Sequence, residues 1–258
     1  MPIRVALAHR TTYGFARPVA VGPHLVRLRP APHARASIES YALTVTPAEH
    51  RLEWYDDLFG NRVARLQVPG RISQMTLAVE LVAVLGGAKP PALAGAAGRL
   101  AGELTAAVHD RVAYRVRLEP GVQAPAETLR LGVGSCRDSA WLLVTLLRER
   151  GLTARYVSGY LVRLASEADT AELHAWCEVL LPDLGWVGLD PTSGQVAGEG
   201  HIPLAATADP ADAAPVSGVT EQVEVTLAFG SDVRRLDPVH DDRTSASSRW
   251  ASRSAGSS

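Results

Sequence analysis

The chain has 258 residues, enough for one large domain or two small ones, and 47% of them are hydrophobic. Its formal net charge is −1 with 21% charged residues, which favours neither a nucleic-acid-binding protein nor a membrane-surface protein. Two cysteines are too few for a disulfide framework. The sequence shows neither the apolar core of a signal peptide near its start nor a run approaching the ~18 apolar residues of a membrane span, so we expect a cytoplasmic protein.

The first 85 residues have the pattern of β-strands. Hydrophobic and polar residues alternate in "SYALTVTP" (40–47) and "QMTLAVELVAVL" (74–85), and turn-forming residues bound both runs. The pair Gly60-Asn61 is a two-residue hairpin signal between strand-like flanks. We therefore predict an antiparallel β-sandwich-like module over residues 1–85, followed by a Gly/Ala/Pro-rich linker over residues 86–99.

Residues 100–240 combine helices with strands, which predicts an α+β domain, and the Ser/Arg-rich residues 241–258 are predicted to be a disordered tail. A first helix is predicted over 100–112, and the apolar run 140–147 predicts a buried helix that ends at Gly151. Residues 191–218 have the composition of a loop. Strand-like runs are found at residues 154–164, 173–181, 185–190 and 221–229.

A lone cysteine, Cys136, lies at the start of the predicted buried helix, after Gly132 and Gly134. The first turn of a helix favours the nucleophilic thiolate, because unpaired N–H groups and the macrodipole stabilise negative charge. A catalytic thiolate also needs a base and a group that orients the base. His174 opens one predicted strand and Asp190 closes the next, so a short antiparallel turn brings the imidazole and the carboxylate together. The three residues have the order of a papain-like triad.

The stretches "GSCRDSAWLLVTLLRERGLTARYVSGYL" and "HAWCEVLLPDLGWVGLDPTSG" resemble the core of the bacterial transglutaminase-like superfamily, which also contains papain-like cysteine proteases. The resemblance is closest to the N-terminal part of large bacterial members, and "DLFGN" and "GEGHIPLA" support it. It implies a β-rich N-terminal module before a papain-like transglutaminase core, in which the helix bearing the cysteine packs on an antiparallel sheet or barrel. It also implies that Cys136 is the nucleophile, His174 the general base and acid, and Asp190 the group that holds the imidazole.

An oxyanion hole needs two hydrogen-bond donors, and the backbone N–H of Cys136 is the candidate for one of them. Similar proteins often carry an aromatic residue before the core helix, and Tyr114 in "DRVAYRV" stands there, so its hydroxyl is the candidate for the second. Arg137 and Asp138, next to the cysteine, are predicted to have a structural role at the helix terminus.

These residues predict cysteine-dependent amide-bond chemistry through an acyl-thioester. The sequence leaves the acyl acceptor open: water gives peptide or isopeptide hydrolysis, and an amine gives transglutaminase-type transfer. One alternative is a non-catalytic module that binds a peptide or protein. A third hypothesis is acyl transfer from a cofactor, as in arylamine N-acetyltransferases. We expect a protein or peptide substrate, with a separate partner protein supplying a missing C-terminal region as a further hypothesis, and no nucleic-acid or membrane partner.

Each candidate residue also has a structural interpretation. A lone cysteine is usually a core residue, and Asp190 before Pro191 would suit the start of a turn. Cys177 follows His174 by three residues, so it faces the opposite side of a strand and is predicted to be core. The remaining histidines show no ligand spacing with one another, and no acidic cluster suggests calcium. We therefore expect no metal and no cofactor.

Overall fold

The computed structural model describes residues 2–87 and 89–236, so the predicted tail over 241–258 lies outside the described residues. The described α-helices are α1 (Gly95–Arg111), α2 (Pro125–Leu131) and α3 (Cys136–Glu149), and a short 3-10 helix spans Pro210–Ala213. None of these helices has both the length and the apolar character that crossing a membrane requires. The described strands are β1 (Ile3–Val26), β2 (Ser37–Thr46), β3 (Arg51–Asp56), β4 (Arg62–Gln67), β5 (Arg71–Leu85), β6 (Ala113–Tyr114), β7 (Val133–Gly134), β8 (Ala154–Arg163), β9 (Thr170–Leu181), β10 (Gly185–Asp190), β11 (Gln195–Val196), β12 (His201–Thr207), β13 (Val216–Thr220) and β14 (Val225–Leu236).

The N-terminal strands form a large antiparallel sheet around the long strand β1. The order is β2-β5-β1-β4-β3, and β13 and β14 also pair with β1. Side chains that alternate along β1 and β5 are buried, among them Val5, Leu7, Leu77 and Leu81. This is the two-residue period expected of strands with one face in a core. The predicted β-rich N-terminal module is therefore present.

The second sheet is antiparallel, has the order β11-β10-β9-β8-β12, and packs against α3. Leu142, Leu143 and Leu147 of α3 have no exposed surface, and they share a core with Cys177 and Val179 of β9. Burial of each such large side chain stabilises the fold by about 1.5–3 kcal/mol. A helix that begins with a cysteine and packs on an antiparallel sheet confirms the predicted α+β core.

Four residues of the second sheet also belong to the hydrophobic core of the first sheet. Tyr160 and Val162 of β8 and Ile202 and Leu204 of β12 are buried among the apolar residues of the first sheet. The Tyr160 hydroxyl donates a hydrogen bond to the backbone carbonyl of Leu28, 3.4 Å away. The N-terminal module thus supports the strands of the core.

The structure differs from the sequence prediction at the start of the first helix and in the strands that follow residue 200. Helix α1 begins at Gly95, within the predicted linker 86–99. β12 and β13 lie largely within residues 191–218, which were predicted to be a loop; β12 contains a proline and three small residues, and it forms because it pairs with β8. β14 begins at Val225, whereas the sequence predicted a strand from residue 221. β13 and β14 both pair with β1 of the N-terminal sheet, although both lie in the predicted core range 100–240.

The predicted hairpin between β3 and β4 is present, but its loop spans residues 57–61 and has a packing role. Asn61 is 1% exposed, and its side chain pairs with the backbone of Ala206 in β12. The Asn61 amide donates to the Ala206 carbonyl at 3.2 Å, and the Ala206 N–H donates to the Asn61 Oδ1 at 2.8 Å. One amide side chain therefore ties the first sheet to an edge strand of the second.

We expect Asn61→Ala to lower the free energy of unfolding by about 2–3 kcal/mol, because it leaves two buried backbone groups without partners. Urea unfolding at neutral pH measures this change. Phe59→Ala, in the same loop but 44% exposed, is the control and should change stability by less than about 0.5 kcal/mol. Equal effects of the two substitutions would contradict the packing role of Asn61.

Candidate active site

The N-terminus of α3 is fixed by the buried carboxylate of Asp138. Its Oδ2 accepts hydrogen bonds from the Ser135 N–H and hydroxyl, both at 2.8 Å, and its Oδ1 accepts from the Gln123 N–H at 2.7 Å. Arg117 forms an ion pair with the same carboxylate at 2.9 Å. Burial alone would raise the pKa of Asp138, but the hydrogen bonds from Gln123, Ser135 and Arg117 outweigh burial and lower it. Cys136, the first residue of α3, is held in place by this network and is partly exposed.

His174 and Asp190 come together from adjacent strands, β9 and β10. The His174 Nε2 donates to the Asp190 Oδ2 at 3.2 Å, and both side chains are almost fully buried. The Cys136 side chain lies close enough to the same imidazole to affect its pKa. Burial lowers the pKa of His174, but the hydrogen bond to Asp190 and the interactions with Cys136 outweigh it and raise the pKa to about 9. The structure therefore brings the three predicted residues into one chain of contacts.

The Asp190 carboxylate is held by the turn that follows β10. Its Oδ1 accepts a hydrogen bond from the Thr192 N–H at 2.8 Å, and its Oδ2 accepts one from the Ser193 hydroxyl at 3.1 Å. Burial raises the pKa of Asp190, but the hydrogen bonds from His174 and His201 outweigh this effect and keep the pKa well below its usual range. The turn that Asp190 begins thus fixes its side chain, so the structural interpretation of this residue and its place beside His174 are compatible.

His201 is a member of this site that the sequence reasoning missed. Its Nε2 lies 3.3 Å from the Asp190 Oδ2, the atom that also binds His174. The ring of Trp176 is 1% exposed, lies roughly parallel to His174 with centroids 6.5 Å apart, and packs edge-on against His201 at 5.2 Å. Gly159 makes room for Trp176, since a Cβ there would lie 2.4 Å from the indole ring. The stretch "GEGHIPLA", which supports the family resemblance and contains His201, was the sequence feature that could have pointed to this residue.

Two histidines and one carboxylate can form a metal site, and the donor atoms of His174, Asp190 and His201 all lie within 4.8 Å of one another. A metal-binding histidine normally donates the N–H of its other ring nitrogen to a neighbouring group. The Nδ1 of His201 instead accepts a hydrogen bond from the Gly198 N–H at 3.2 Å. The proton therefore belongs on Nε2, where it meets Asp190, and this donor set does not fit a metal ion.

The remaining predicted residues occupy two different environments. Tyr114 pairs with Gly134, two residues before the cysteine, and its side chain is 52% exposed. Partial burial and the nearby Cys136 raise the pKa of the Tyr114 hydroxyl, so it remains a neutral donor. Cys177 is completely buried beneath α3, and burial raises its pKa well above the usual value. Tyr114 lies near the site and Cys177 belongs to the core, as expected for a residue on the opposite face of β9 from His174.

Two family models match the chain and show the family to which it belongs. Residues 5–84 match the family model of the bacterial transglutaminase-like N-terminal region, and residues 84–191 match that of the transglutaminase-like superfamily. The chain therefore belongs to the transglutaminase-like superfamily, which confirms the resemblance found in the sequence.

Three curated bacterial relatives, all uncharacterized proteins, match parts of the chain. A Mycobacterium tuberculosis protein is 35% identical over 102 residues, which are 36% of this chain and 32% of the relative. A Mycobacterium leprae protein is 38% identical over 90 residues, or 33% of this chain and 32% of the relative. The protein YebA of Bacillus subtilis is 35% identical over 72 residues, or 24% of this chain and 10% of the relative. The matches thus span about a third or less of the relatives' length.

A solved structure has the same fold over nearly its whole length. It is a crystal structure from Cytophaga hutchinsonii, described as a "putative cysteine protease", and it matches with a TM-score of 0.70 over 92% of both chains. The sequence identity is 19%, so this likeness concerns the fold alone.

Proposed function

We propose that the protein breaks or transfers amide bonds of a protein or peptide substrate through an acyl-thioester on Cys136. The observation that carries the proposal is the buried His174–Asp190 pair beside the partly exposed Cys136, which begins α3. Such an arrangement generates a thiolate next to an imidazolium, which is the reactive pair that cysteine-dependent acyl transfer requires.

The residues divide the reaction between them. The Cys136 thiolate attacks the carbonyl carbon of the amide, and the carbonyl oxygen becomes an oxyanion. The His174 imidazolium then gives its proton to the leaving amine as the C–N bond breaks, which leaves a thioester on Sγ and a neutral imidazole. In the second step neutral His174 takes a proton from water or from an acceptor amine, whose attack releases the acyl group and restores the thiolate and the imidazolium.

The oxyanion needs donors close to Sγ. The backbone N–H of Cys136 lies at the first position of α3, where a helix does not use its own N–H groups. Tyr114 supplies the second donor in this proposal, because its partly exposed hydroxyl belongs to a strand that pairs beside Gly134. Removing one such donor usually lowers kcat by about 100-fold to 1,000-fold.

The first test is the pH dependence of Cys136 alkylation by iodoacetamide, followed by mass spectrometry in the wild type and in His174→Ala. We expect the wild type to be labelled rapidly near pH 6.5, since the imidazolium of His174 stabilises the thiolate. Without His174, labelling near pH 6.5 should fall by about tenfold or more.

Cys177 is an internal control in the same experiment, because it is fully buried and should stay unlabelled in the folded protein. Slow labelling of Cys136 that does not depend on His174 would contradict the enzymatic proposal and favour the non-catalytic binding module. Transfer of a labelled acetyl group from acetyl-coenzyme A to Cys136 would instead favour the cofactor-dependent acyl transferase.

A further inference from the structure

His201 contacts the candidate triad from a strand that holds none of the three triad residues. It is the first residue of β12, and β12 is separated from β9 by β8 in the second sheet. Its side chain is 13% exposed, and its Nε2 and the His174 Nε2 both bind the Asp190 Oδ2. One carboxylate oxygen therefore accepts hydrogen bonds from two imidazoles.

The hydrogen bonds of His201 determine which of its nitrogens carries the proton. A backbone N–H can only donate, so the Gly198 N–H requires an unprotonated Nδ1 at 3.2 Å. The single ring proton then lies on Nε2 and points at Asp190. Protonation of Nδ1 would place two donors against each other and break the contact with Gly198.

We propose that His201 is a positioning residue: a neutral imidazole that donates its Nε2 proton to Asp190, fixes that carboxylate, and limits how strongly it binds the His174 imidazolium. This inference rests on the proposed function, since it concerns the same proton transfer. The Asp190 carboxylate also binds the Thr192 N–H and the Ser193 hydroxyl, and each further donor, His201 included, leaves less of its charge for His174. His174 must release its proton to a leaving amine, and an imidazolium that is held too strongly does so poorly.

The other titratable groups near His174 and Asp190 do not obscure the effect of His201 on the pKa of His174. Cys136 and Asp190 face His174, and their interactions with it are the ones that raise its pKa against the effect of burial. Tyr114 and Tyr156 lie near Cys136, and burial raises the pKa of both hydroxyls, so both stay neutral at neutral pH. The titration of the His174 imidazole therefore reports how strongly Asp190 binds it.

The test compares the pKa of His174, followed by nitrogen-15 NMR and assigned with His174→Ala, in the wild type, His201→Phe and His201→Gln. In His201→Phe the ring remains and its donor is lost, so Asp190 binds the His174 imidazolium more strongly and the pKa of His174 should rise by about half a pH unit. In His201→Gln an amide N–H replaces the Nε2 donor, and the pKa of His174 should return to within about 0.2 pH units of the wild-type value. His50→Phe, on a residue that contacts the Pro47 carbonyl in the turn between β2 and β3, is the matched control.

An unchanged or lowered pKa of His174 in His201→Phe overturns the proposal, and so does a pKa of His174 in His201→Gln that equals that in His201→Phe. A wild type that shows no His174-dependent labelling overturns the proposed function instead, which separates the two failures.

A second measurement does not depend on whether the His201→Phe protein folds. Nitrogen-15 NMR of the wild type at pH 7 should show one imidazole with an unprotonated Nδ1 and a protonated Nε2, assigned by its disappearance in His201→Gln. A proton on Nδ1 of His201 at pH 7 overturns the proposal, whatever the reactivity of Cys136.

Discussion

Asp190→Asn is expected to slow the alkylation of Cys136 near pH 6.5 by about tenfold to 1,000-fold, while the protein stays folded. The asparagine keeps the shape of the side chain and can still accept from the Thr192 N–H. Its NH₂ group, however, faces the donors of His174 and His201, so it cannot stabilise the imidazolium. The pKa of His174, about 9 with Asp190 and Cys136 as partners against the effect of burial, should fall toward its ordinary range.

The measurement is the labelling rate between about pH 5 and 9, together with circular dichroism to confirm the fold. Asp183→Asn is the matched control, because Asp183 is exposed in the turn between the same two strands, β9 and β10. The labelling rate near pH 6.5 should fall in Asp190→Asn and stay unchanged in Asp183→Asn. Equal labelling profiles for Asp190→Asn and the wild type would show that Asp190 does not act through His174.

Asp138→Asn should have the largest effect on stability, a loss of about 3 kcal/mol in the free energy of unfolding at neutral pH. Its carboxylate is completely buried and accepts hydrogen bonds from Ser135 and Gln123 as well as an ion pair from Arg117. The asparagine removes the charge that Arg117 needs and places an NH₂ group among donors. Because these contacts hold the first residue of α3, the labelling rate of Cys136 should fall as well.

The pH dependence of this loss has a defined sign. The folded-state pKa of Asp138 is lowered, because hydrogen bonds outweigh burial, so its contribution is fully present above the unfolded value of about 4. The difference between wild type and Asp138→Asn should therefore be constant near neutral pH and shrink as the pH falls below about 4. Urea unfolding at several pH values measures it, with Asp232→Asn, on an exposed position of β14, as the control. A difference that grows in acid would contradict the assignment.

The positions of Cys136, His174 and Asp190 could be predicted from the sequence because each depends on neighbouring residues. Cys136 follows two glycines and begins an apolar run, and His174 and Asp190 are separated by one short turn between adjacent strands. Helix termini and hairpins are decided by neighbouring residues, so the proximity of the imidazole and the carboxylate was predictable. The roles of these residues in catalysis remain a prediction that the labelling experiments test.

His201 and the anchoring of Asp138 could not be predicted in the same way. His201 reaches Asp190 because β12 pairs with β8, and nothing in "HIPLAAT" indicates which strand it will join. The partners of Asp138 come from residues 117 and 123, in a stretch with no regular period. Contacts of this kind depend on the order of strands and the course of loops, which a pattern of hydrophobic residues does not encode.

The return of β13 and β14 to β1 limits how this protein can be dissected. The two family regions meet at residue 84, but a fragment that began there would lose β1, the strand with which β13 and β14 pair. It would also uncover Tyr160, Val162, Ile202 and Leu204, which are buried against the first sheet. Such a fragment would carry open strand edges and a bare apolar surface, and those features promote aggregation. The boundary between the two family regions therefore crosses a shared sheet and a shared core, and the part that carries the candidate site should be studied with the N-terminal part attached.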